Sequence, residues 1–192
     1  NWTFRPAEPQ LGPDVALYFG DGSAALLGHM QYSQRDPNRD HAHGRIYRLV
    51  YKNKPLLTPV TQFGKSIPEV LDQLKEYEPR TRYRARRELR DRPTIDVLAA
   101  INKWVAKLSP TDKEFDRLLL EALWVEQGLH AVDPLLLKKV LRAKTGEARA
   151  GATRVLADEW DRIPNAMALM KPQVVDEFPR TRVEAIRALS FV

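Results

Sequence analysis

Cysteine is absent from the 192-residue sequence. Its absence excludes thiol catalysis, thiolate metal ligation, disulfides and covalent CxxCH haem attachment within this chain. No run of about 18 apolar residues and no charged-then-apolar leader occurs, so we expect no membrane span and no signal peptide in the sequence present. The motifs GxSxG, GxxxxGK[ST] and HExxH are also missing, which leaves hydrolase, nucleotide-binding and zinc-protease functions without support.

The composition is that of a folded, moderately basic protein. Apolar residues make up 43% of the chain and charged residues 29%, enough for one full core or two small ones. The formal net charge is +6 and the pI is about 9.6. This excess permits an acidic partner but is spread thinly over the surface, so it does not by itself indicate nucleic acid.

The residue pattern divides the chain into two regions joined by a connector. Residues 1–53 contain most of the glycines and show β-type alternation, with one strand predicted over residues 16–19 and another over 45–51. The connector, 54–66, contains two prolines and a glycine. Residues 67–192 have apolar residues at helical spacing. So few strands are marginal in water, and we expect them to complete a sheet whose other strands lie elsewhere.

An internal repeat runs through the helical region. Residues 79–89 and 179–189 align without a gap and share seven residues, and 148–156 aligns with both at an arginine, an alanine and a leucine. The arginines at these positions, Arg82, Arg149 and Arg182, are 67 and 33 residues apart, which indicates a unit of about 33 residues. A Pro followed by an Arg-rich helix resembles HEAT repeats. The predicted fold is therefore mainly α: a short HEAT-like α-solenoid preceded by a small β region.

Helix signals support this interpretation. Apolar stripes predict helices over residues 94–108 and from Phe115 to an end at Gly128, and Asp133 with a following proline predicts a capped start for the next helix. We expect the small Ala85, Ala152 and Ala185 to allow close helix approach, and the helical region's tryptophans to fill the core or the spaces between repeats.

Four strings of the sequence are similar to those of a known family. They are GHMQ at 28–31, RDPNRDHAHGRIYR at 35–48, YEPRTRYRAR at 77–86 and EALW at 121–124. Together they resemble large bacterial proteins described as membrane-bound dehydrogenases, in which a β-propeller akin to quinoprotein sugar dehydrogenases precedes HEAT repeats and often a c-type haem domain. The sequence departs from that family at Val15, where a glycine is usual, and at residues 21–23, where an aromatic pair is usual.

The resemblance implies a fold, a role and a location. Residues 1–53 would be the last propeller blade and 67–192 the HEAT-like repeats of a periplasmic or exported oxidoreductase, a dehydrogenase in which the repeats hold the propeller apart from the electron acceptor. A PQQ-like quinone with calcium, and c-type haem, would belong to the parent protein, with no cofactor in this chain. Its partners would be the remaining blades and a haem domain or cytochrome. The chain alone would not turn over substrate.

The resemblance also implies site residues in the polar cluster that precedes the second strand. Five are assigned to catalysis and two to cofactor binding: His29, Arg35, Arg39, Asp40 and His41, then His43 and Arg45. The residue types alone leave three interpretations open. Asp36 and Asp40 can cap a turn and pair with neighbouring arginines, which the pattern favours; the cluster can bind cofactor or substrate; or His41 and His43 can bind a metal with Asp40.

Seven arginines lie between Arg80 and Arg92. Glu78, Glu88 and Asp91 lie at helical spacing for ion pairs with them, which favours a self-paired helix face over a nucleic-acid site. We predict docking of a protein partner through Arg80, Arg84 and Arg87. The alternative to an oxidoreductase is therefore a non-enzymatic HEAT-repeat interaction scaffold.

Overall fold

The computed structural model describes residues 4, 6–22, 37 and 42–191. The chain forms two compact units, Asn1–Thr61 and Gln62–Val192. The first contains a small antiparallel sheet and the second is helical, so the protein is mainly helical, as the sequence predicts. The boundary between the units falls inside the predicted connector, residues 54–66.

The described part of the first unit contains three antiparallel strands in the order β1, β2, β3. They are β1 (Pro6–Leu11), β2 (Leu17–Asp21) and β3 (Arg45–Leu49). β2 and β3 are the two strands predicted from the sequence, each within two residues of its expected ends. In their register Phe19 lies opposite Tyr47, and these rings stack at a centroid distance of 5.3 Å. Aromatic cross-strand pairs of this kind stabilise a sheet.

Strand β1 was not predicted from the sequence. It contains Pro6 and Pro9, which cannot donate to a ladder and normally argue against a strand. β1 is an edge strand of this sheet, where proline is tolerated. The pairing with β2 shifts register between Ala7 and Gln10, and Glu8 adopts a positive φ of 48°. The strand therefore forms around a bulge that composition does not reveal.

The described part of the second unit contains eight α-helices, joined in places by short 3₁₀ segments. They are α1 (Ile67–Asp72), α2 (Pro79–Arg90), α3 (Thr94–Ala106), α4 (Phe115–Gly128), α5 (Pro134–Val140), α6 (Gly146–Asp158), α7 (Ala166–Met170) and α8 (Pro179–Leu189). The predicted helix end at Gly128 is confirmed. The predicted cap at Asp133 is also confirmed, since its Oδ1 accepts a hydrogen bond of 2.9 Å from the amide of Leu135.

The even-numbered helices pack in sequence: α2 contacts α4, α4 contacts α6, and α6 contacts α8. Ala85, Ala152 and Ala185 are completely buried in these contacts, as predicted. Leu89 and Leu156 occupy equivalent positions of the aligned segments and are also completely buried. The repeated small and apolar positions thus form one continuous core in the second unit.

One side-chain contact recurs with the repeat. Arg82, Arg149 and Arg182 each donate two hydrogen bonds from Nη1 to backbone carbonyls six and five residues earlier in the chain. The acceptors are Glu76 and Tyr77 (2.8 and 2.7 Å), Ala143 and Lys144 (both 3.0 Å), and Asp176 and Glu177 (2.8 and 3.0 Å). The sequence alignment placed these arginines at one repeat position, and they make the same contact. Each holds the turn that enters its own helix.

Candidate arginine and aromatic groove

The buried carboxylate of Glu121 organises one side of the arginine-rich helix α2. Glu121 lies on α4 and is only 1% exposed. Arg82 donates from Nε to its Oε1 at 2.8 Å, and Nη1 of Arg86 pairs with its Oε2. Two guanidinium groups on consecutive turns of α2 therefore share one carboxylate of α4. Hydrogen-bonded ion pairs of this kind fix the approach of the two helices.

Other arginines of the run pair within their own segment. Arg92 donates from Nη2 to Glu88 at 2.6 Å, one helical turn away. Arg84 donates from Nη2 to Thr81 Oγ1 at 3.0 Å and lies 3.9 Å from Glu78. The predicted self-pairing of the helix face is therefore confirmed for these residues. Such partly exposed pairs contribute little to stability.

Arg80 and Arg87 differ from the rest of the run. In the part of the chain that the structure describes, no carboxylate forms an ion pair with either of them. Arg87 is exposed, and its guanidinium carbon lies 6.0 Å from the centroid of the Tyr83 ring. Its charge is thus available to a ligand while its plane is held near an aromatic face.

A groove with a volume of about 340 Å³ lies between α2 and α4. Its residues from α2 recur at helical spacing along one face, and those from α4 lie near that helix's C-terminal end. They are Tyr83, Arg86, Arg87, Arg90, Trp124, Gln127 and Gly128. We call this the arginine–aromatic groove. It combines three guanidinium groups with two aromatic rings.

Arg86 is fixed from two sides in the arginine–aromatic groove. Its guanidinium pairs with Glu121 and lies 5.1 Å from the centroid of the Trp124 ring. Glu121 offsets that charge, whereas Arg87 is not paired and Arg90 only approaches the exposed Asp91, at 3.8 Å. The groove is therefore net positive at its rim and aromatic at its wall. An anionic group attached to an apolar or aromatic body matches both properties.

The predicted docking residues are divided by the structure. Arg87 lines the arginine–aromatic groove, whereas Arg80 and Arg84 do not. Sequence reasoning missed Arg86. It predicted that Trp124 fills the core or the space between repeats, and Trp124 does pack against the core, but it is half-buried and its ring also lies beside Arg86 in the groove. The sequence signal that could have indicated the site is the EALW string, which places a carboxylate and an indole three residues apart on one helix.

A second cavity in the helical unit, of about 480 Å³, lies between α1 and α3 and has a mixed charge. Lys75 donates to Asp72 at 2.5 Å, and the indole nitrogen of Trp104 donates to the same carboxylate at 3.0 Å. The hydrogen bond from Lys75 is the main reason that the pKa of Asp72 lies below its ordinary value. Asp96 also lines this cavity. These carboxylates offset its lysines, so it shows less preference for anions than the arginine–aromatic groove.

In the sheet unit, Asp14 joins the turn after β1 to the strands. It is buried and accepts hydrogen bonds of 3.1 Å from the Ala16 amide and from the Tyr18 hydroxyl, and Arg48 of β3 pairs with it. Burial acts to raise the pKa of Asp14, but these hydrogen bonds and the Arg48 charge outweigh it and lower that pKa below its ordinary value. Asp14 was predicted only as a turn residue, and its long-range partner is a tertiary feature.

Two of the predicted site residues in the polar cluster are described. Arg45 begins β3, directly opposite Asp21 of β2, and the two side chains form an ion pair of 3.0 Å. His43 is exposed just before the same strand. The five predicted catalytic residues, His29, Arg35, Arg39, Asp40 and His41, lie outside the described residues, so the structure does not test their roles. The assignment of His43 and Arg45 to a cofactor stays a prediction.

Comparisons with protein-family models, with curated proteins and with solved structures gave no match. The similarity to membrane-bound dehydrogenases therefore stays a prediction based on the four quoted strings. Among the described residues, no helix is both long and apolar enough to cross a membrane. Those same residues contain no group of three or more His, Asp or Glu side chains placed to hold a metal ion.

Proposed function

We propose that the helical unit is a HEAT-like scaffold that docks an acidic segment of a partner protein in the arginine–aromatic groove. One observation carries this proposal. Arg87, which no carboxylate neutralises, lines the same groove as Arg86 and Trp124, and the Arg86 guanidinium lies over the Trp124 ring. Among the described residues, no serine, histidine or carboxylate lines that groove.

The solenoid part of the proposal is supported by the repeat itself. Consecutive even-numbered helices pack on one another, and one arginine per aligned segment makes the same contact with its own entry turn. Each repeat buries its apolar stripe against the neighbouring repeats, as expected when repeats stack in one dimension. A stack of this kind presents grooves between neighbouring helices, and such surfaces commonly receive extended or helical segments of partners.

The chemistry of the arginine–aromatic groove favours a carboxylate-bearing peptide as the ligand. Guanidinium groups bind carboxylates through two parallel hydrogen bonds, and the rings of Tyr83 and Trp124 offer apolar contact to the residue that follows. Nucleic acid is a poorer match, because Glu88 and Asp91 interrupt the basic face of α2 and would repel a continuous phosphate backbone.

The proposal is tested by binding of the full chain to a fluorescein-labelled peptide of sequence GEDLEEWG, measured by fluorescence anisotropy at low ionic strength. We expect Arg87→Glu to weaken binding by about tenfold or more, because it reverses the unpaired charge of the groove. The matched control is Arg154→Glu on α6, which changes the net charge equally at an exposed arginine that does not line the groove. It should change binding by less than about twofold.

Two results would contradict the proposal. Equal weakening by Arg87→Glu and Arg154→Glu would show that only net charge matters. Equal binding of the peptide GQNLQQWG, in which amides replace the carboxylates, would show that the groove does not select acidic groups. Trp124→Leu provides a second test, since it keeps the charge and removes the aromatic wall, and we expect weaker binding with unchanged salt dependence.

The oxidoreductase hypothesis is separate and stays a prediction, in which this scaffold would dock a haem domain or cytochrome. Haem propionates are a pair of carboxylates and would suit the same groove. The visible absorption spectrum of the protein purified from its native source, together with peptide mass mapping, tests this hypothesis. A c-type haem band with additional peptides outside residues 1–192 would support it, whereas a colourless chain with no further peptides would contradict it.

A further inference from the structure

The helix α8 presents a face with an arginine that is only partly used. Arg182 donates from Nη1 to the carbonyls of Asp176 and Glu177. In the part of the chain that the structure describes, its Nε and Nη2 donate to no side chain. This differs from the two equivalent arginines of the repeat.

Each equivalent arginine uses those other donors on an acid that lies in the next even-numbered helix or in the turn just before it. Arg82 of α2 donates from Nε to Glu121 of α4 at 2.8 Å. Arg149 of α6 donates from Nε and Nη2 to Asp176, in the turn entering α8, at 2.7 and 2.9 Å. In both cases the arginine lies against the next even-numbered helix, and the carboxylate is either within that helix or in the turn that precedes it. Arg182 has the same backbone contacts and lacks such an acid among the described residues.

The apolar part of the same face points to the same conclusion. The repeat positions one and four residues after the arginine are occupied in α6 by Ala150 and Thr153, which are 6% and 0% exposed. In α8 these positions are Val183 and Ile186, and they are 56% and 57% exposed. Two β-branched apolar residues thus occupy positions that are buried one repeat earlier. Exposed apolar residues grouped beside an unused charge indicate a binding surface.

We propose that the face of α8 formed by Arg182, Val183 and Ile186 binds an amphipathic helix of a partner protein, with a carboxylate of that partner pairing with Arg182. The carboxylate lies within the partner helix, as Glu121 does in α4, or two to three residues before its first turn, as Asp176 does before α8. The apolar stripe of that helix covers Val183 and Ile186. This inference does not rest on the arginine–aromatic groove, which lies between α2 and α4.

The chain itself supplies a probe with the required chemistry. Residues 173–190 contain Asp176, Glu177 and the whole of α8, and this segment covers α6 at the equivalent repeat positions. A fluorescein-labelled peptide of that sequence is titrated with the full chain in fluorescence anisotropy, up to about 1 mM because a peptide of this length is only marginally helical. A second peptide has Asn and Gln in place of Asp176 and Glu177.

We expect the acidic peptide to bind, the Asn and Gln peptide to bind about tenfold more weakly, and Ile186→Asp in the protein to weaken binding by a similar factor. The matched control is Ile95→Asp, an identical change at an exposed isoleucine on α3, which should have little effect. Sedimentation velocity of the full chain and of Ile186→Asp accompanies the titration. A monomer in both cases is expected.

Four outcomes would overturn the proposal. The first is no binding at about 1 mM peptide, and the second is binding that is equal for the two peptides. The third is binding insensitive to Ile186→Asp, which would mean that the peptide displaces α8 from α6 instead of binding its outer face. The fourth is a dimer of the full chain that Ile186→Asp abolishes, because the occupant would then be a second copy of this protein.

Discussion

Arg82 and Arg182, one hundred residues apart, make the same pair of hydrogen bonds to the carbonyls six and five residues before them. The bonds are 2.7 to 3.0 Å long, and Arg149 makes the same pair from α6. Each guanidinium satisfies two carbonyls of an irregular turn that has no helical partner for them. The arginine therefore stabilises the turn that enters its helix through these two hydrogen bonds, in addition to any effect of its charge.

Replacing Arg149 tests how much the contacts of this arginine contribute to the free energy of unfolding. Arg149 is buried and also forms a bidentate pair with Asp176, which holds the pKa of Asp176 below its ordinary value. Arg149→Met would leave that carboxylate with only the amide of Phe178 as a donor and would leave two carbonyls without the hydrogen bonds from Arg149. We expect a loss of about 3–5 kcal/mol in the free energy of unfolding, measured with urea.

The control for this experiment lies on the same helix. Arg154 is exposed and forms no ion pair with the described residues. Arg154→Met should change the free energy of unfolding by no more than about 0.5 kcal/mol. A similar loss for both variants would mean that net charge, and not the contacts of Arg149, accounts for the effect.

Glu121→Gln tests the junction of α2 and α4. The substitution preserves the shape of the side chain but removes the charge that Arg82 and Arg86 share. Because this carboxylate is buried, we expect a loss of about 3 kcal/mol in urea unfolding. Glu114→Gln, at a partly exposed carboxylate that pairs with Arg117, should cost less than about 1 kcal/mol. Equal effects would contradict a special role for Glu121.

The buried Glu126 makes stability depend on pH in a defined window. Burial is the main cause that raises the pKa of Glu126 to about 7, against an ordinary value of 4.5, although it accepts a hydrogen bond from the Asp133 amide. The folded state therefore holds a proton that the unfolded chain releases. This contribution is fully present below about pH 4.5 and is lost as the pH rises through about 7.

Glu126→Gln isolates this effect, because glutamine resembles the protonated acid. We expect the variant and the wild type to be similarly stable at pH 5, and the variant to be more stable at pH 8 by up to about 3 kcal/mol. The quantity to measure is the difference in free energy of unfolding between the two proteins at each pH, which cancels the titration of all other groups. A difference that does not change between pH 5 and 8 would contradict the buried, protonated state.

Val15, where the dehydrogenase family usually has glycine, lies in the turn between β1 and β2. Its φ is 66°, in the left-handed region that a β-branched residue adopts only under strain. Val15→Gly should stabilise the sheet unit by about 0.5–1 kcal/mol, because the strain relieved exceeds the added freedom of the unfolded chain. Amide hydrogen exchange of β2 measures the change for this unit alone.

Val50 is the matched control for that substitution. Both valines are 43% exposed, but Val50 has no positive φ. Val50→Gly should therefore lower the protection of the same strand or leave it unchanged. Faster exchange after Val15→Gly would show that the valine side chain contributes more than its backbone strain costs.

Local patterns in the sequence were enough to locate most of the helices. The positions of Pro79, Asp133 and Gly128 mark helix ends because capping and the loss of an amide donor act within one turn. The repeat was also visible, since its arginine, alanine and leucine positions have to recur wherever the packing recurs. β1 was missed because Pro6 and Pro9 argue against a strand, and only the position of β1 at the sheet edge allows them.

The sequence by itself determined the mainly helical fold, the repeat register and the presence of an arginine-rich helix, because each of these depends on residues close together in the chain. Only the tertiary structure decided which arginines are free. Glu121 pairs with Arg82 and Arg86 from more than thirty residues away, and Arg87 is left unpaired although it is the next residue after Arg86. Charge neutralisation depends on distance in space, and sequence spacing reports that distance only within a helix.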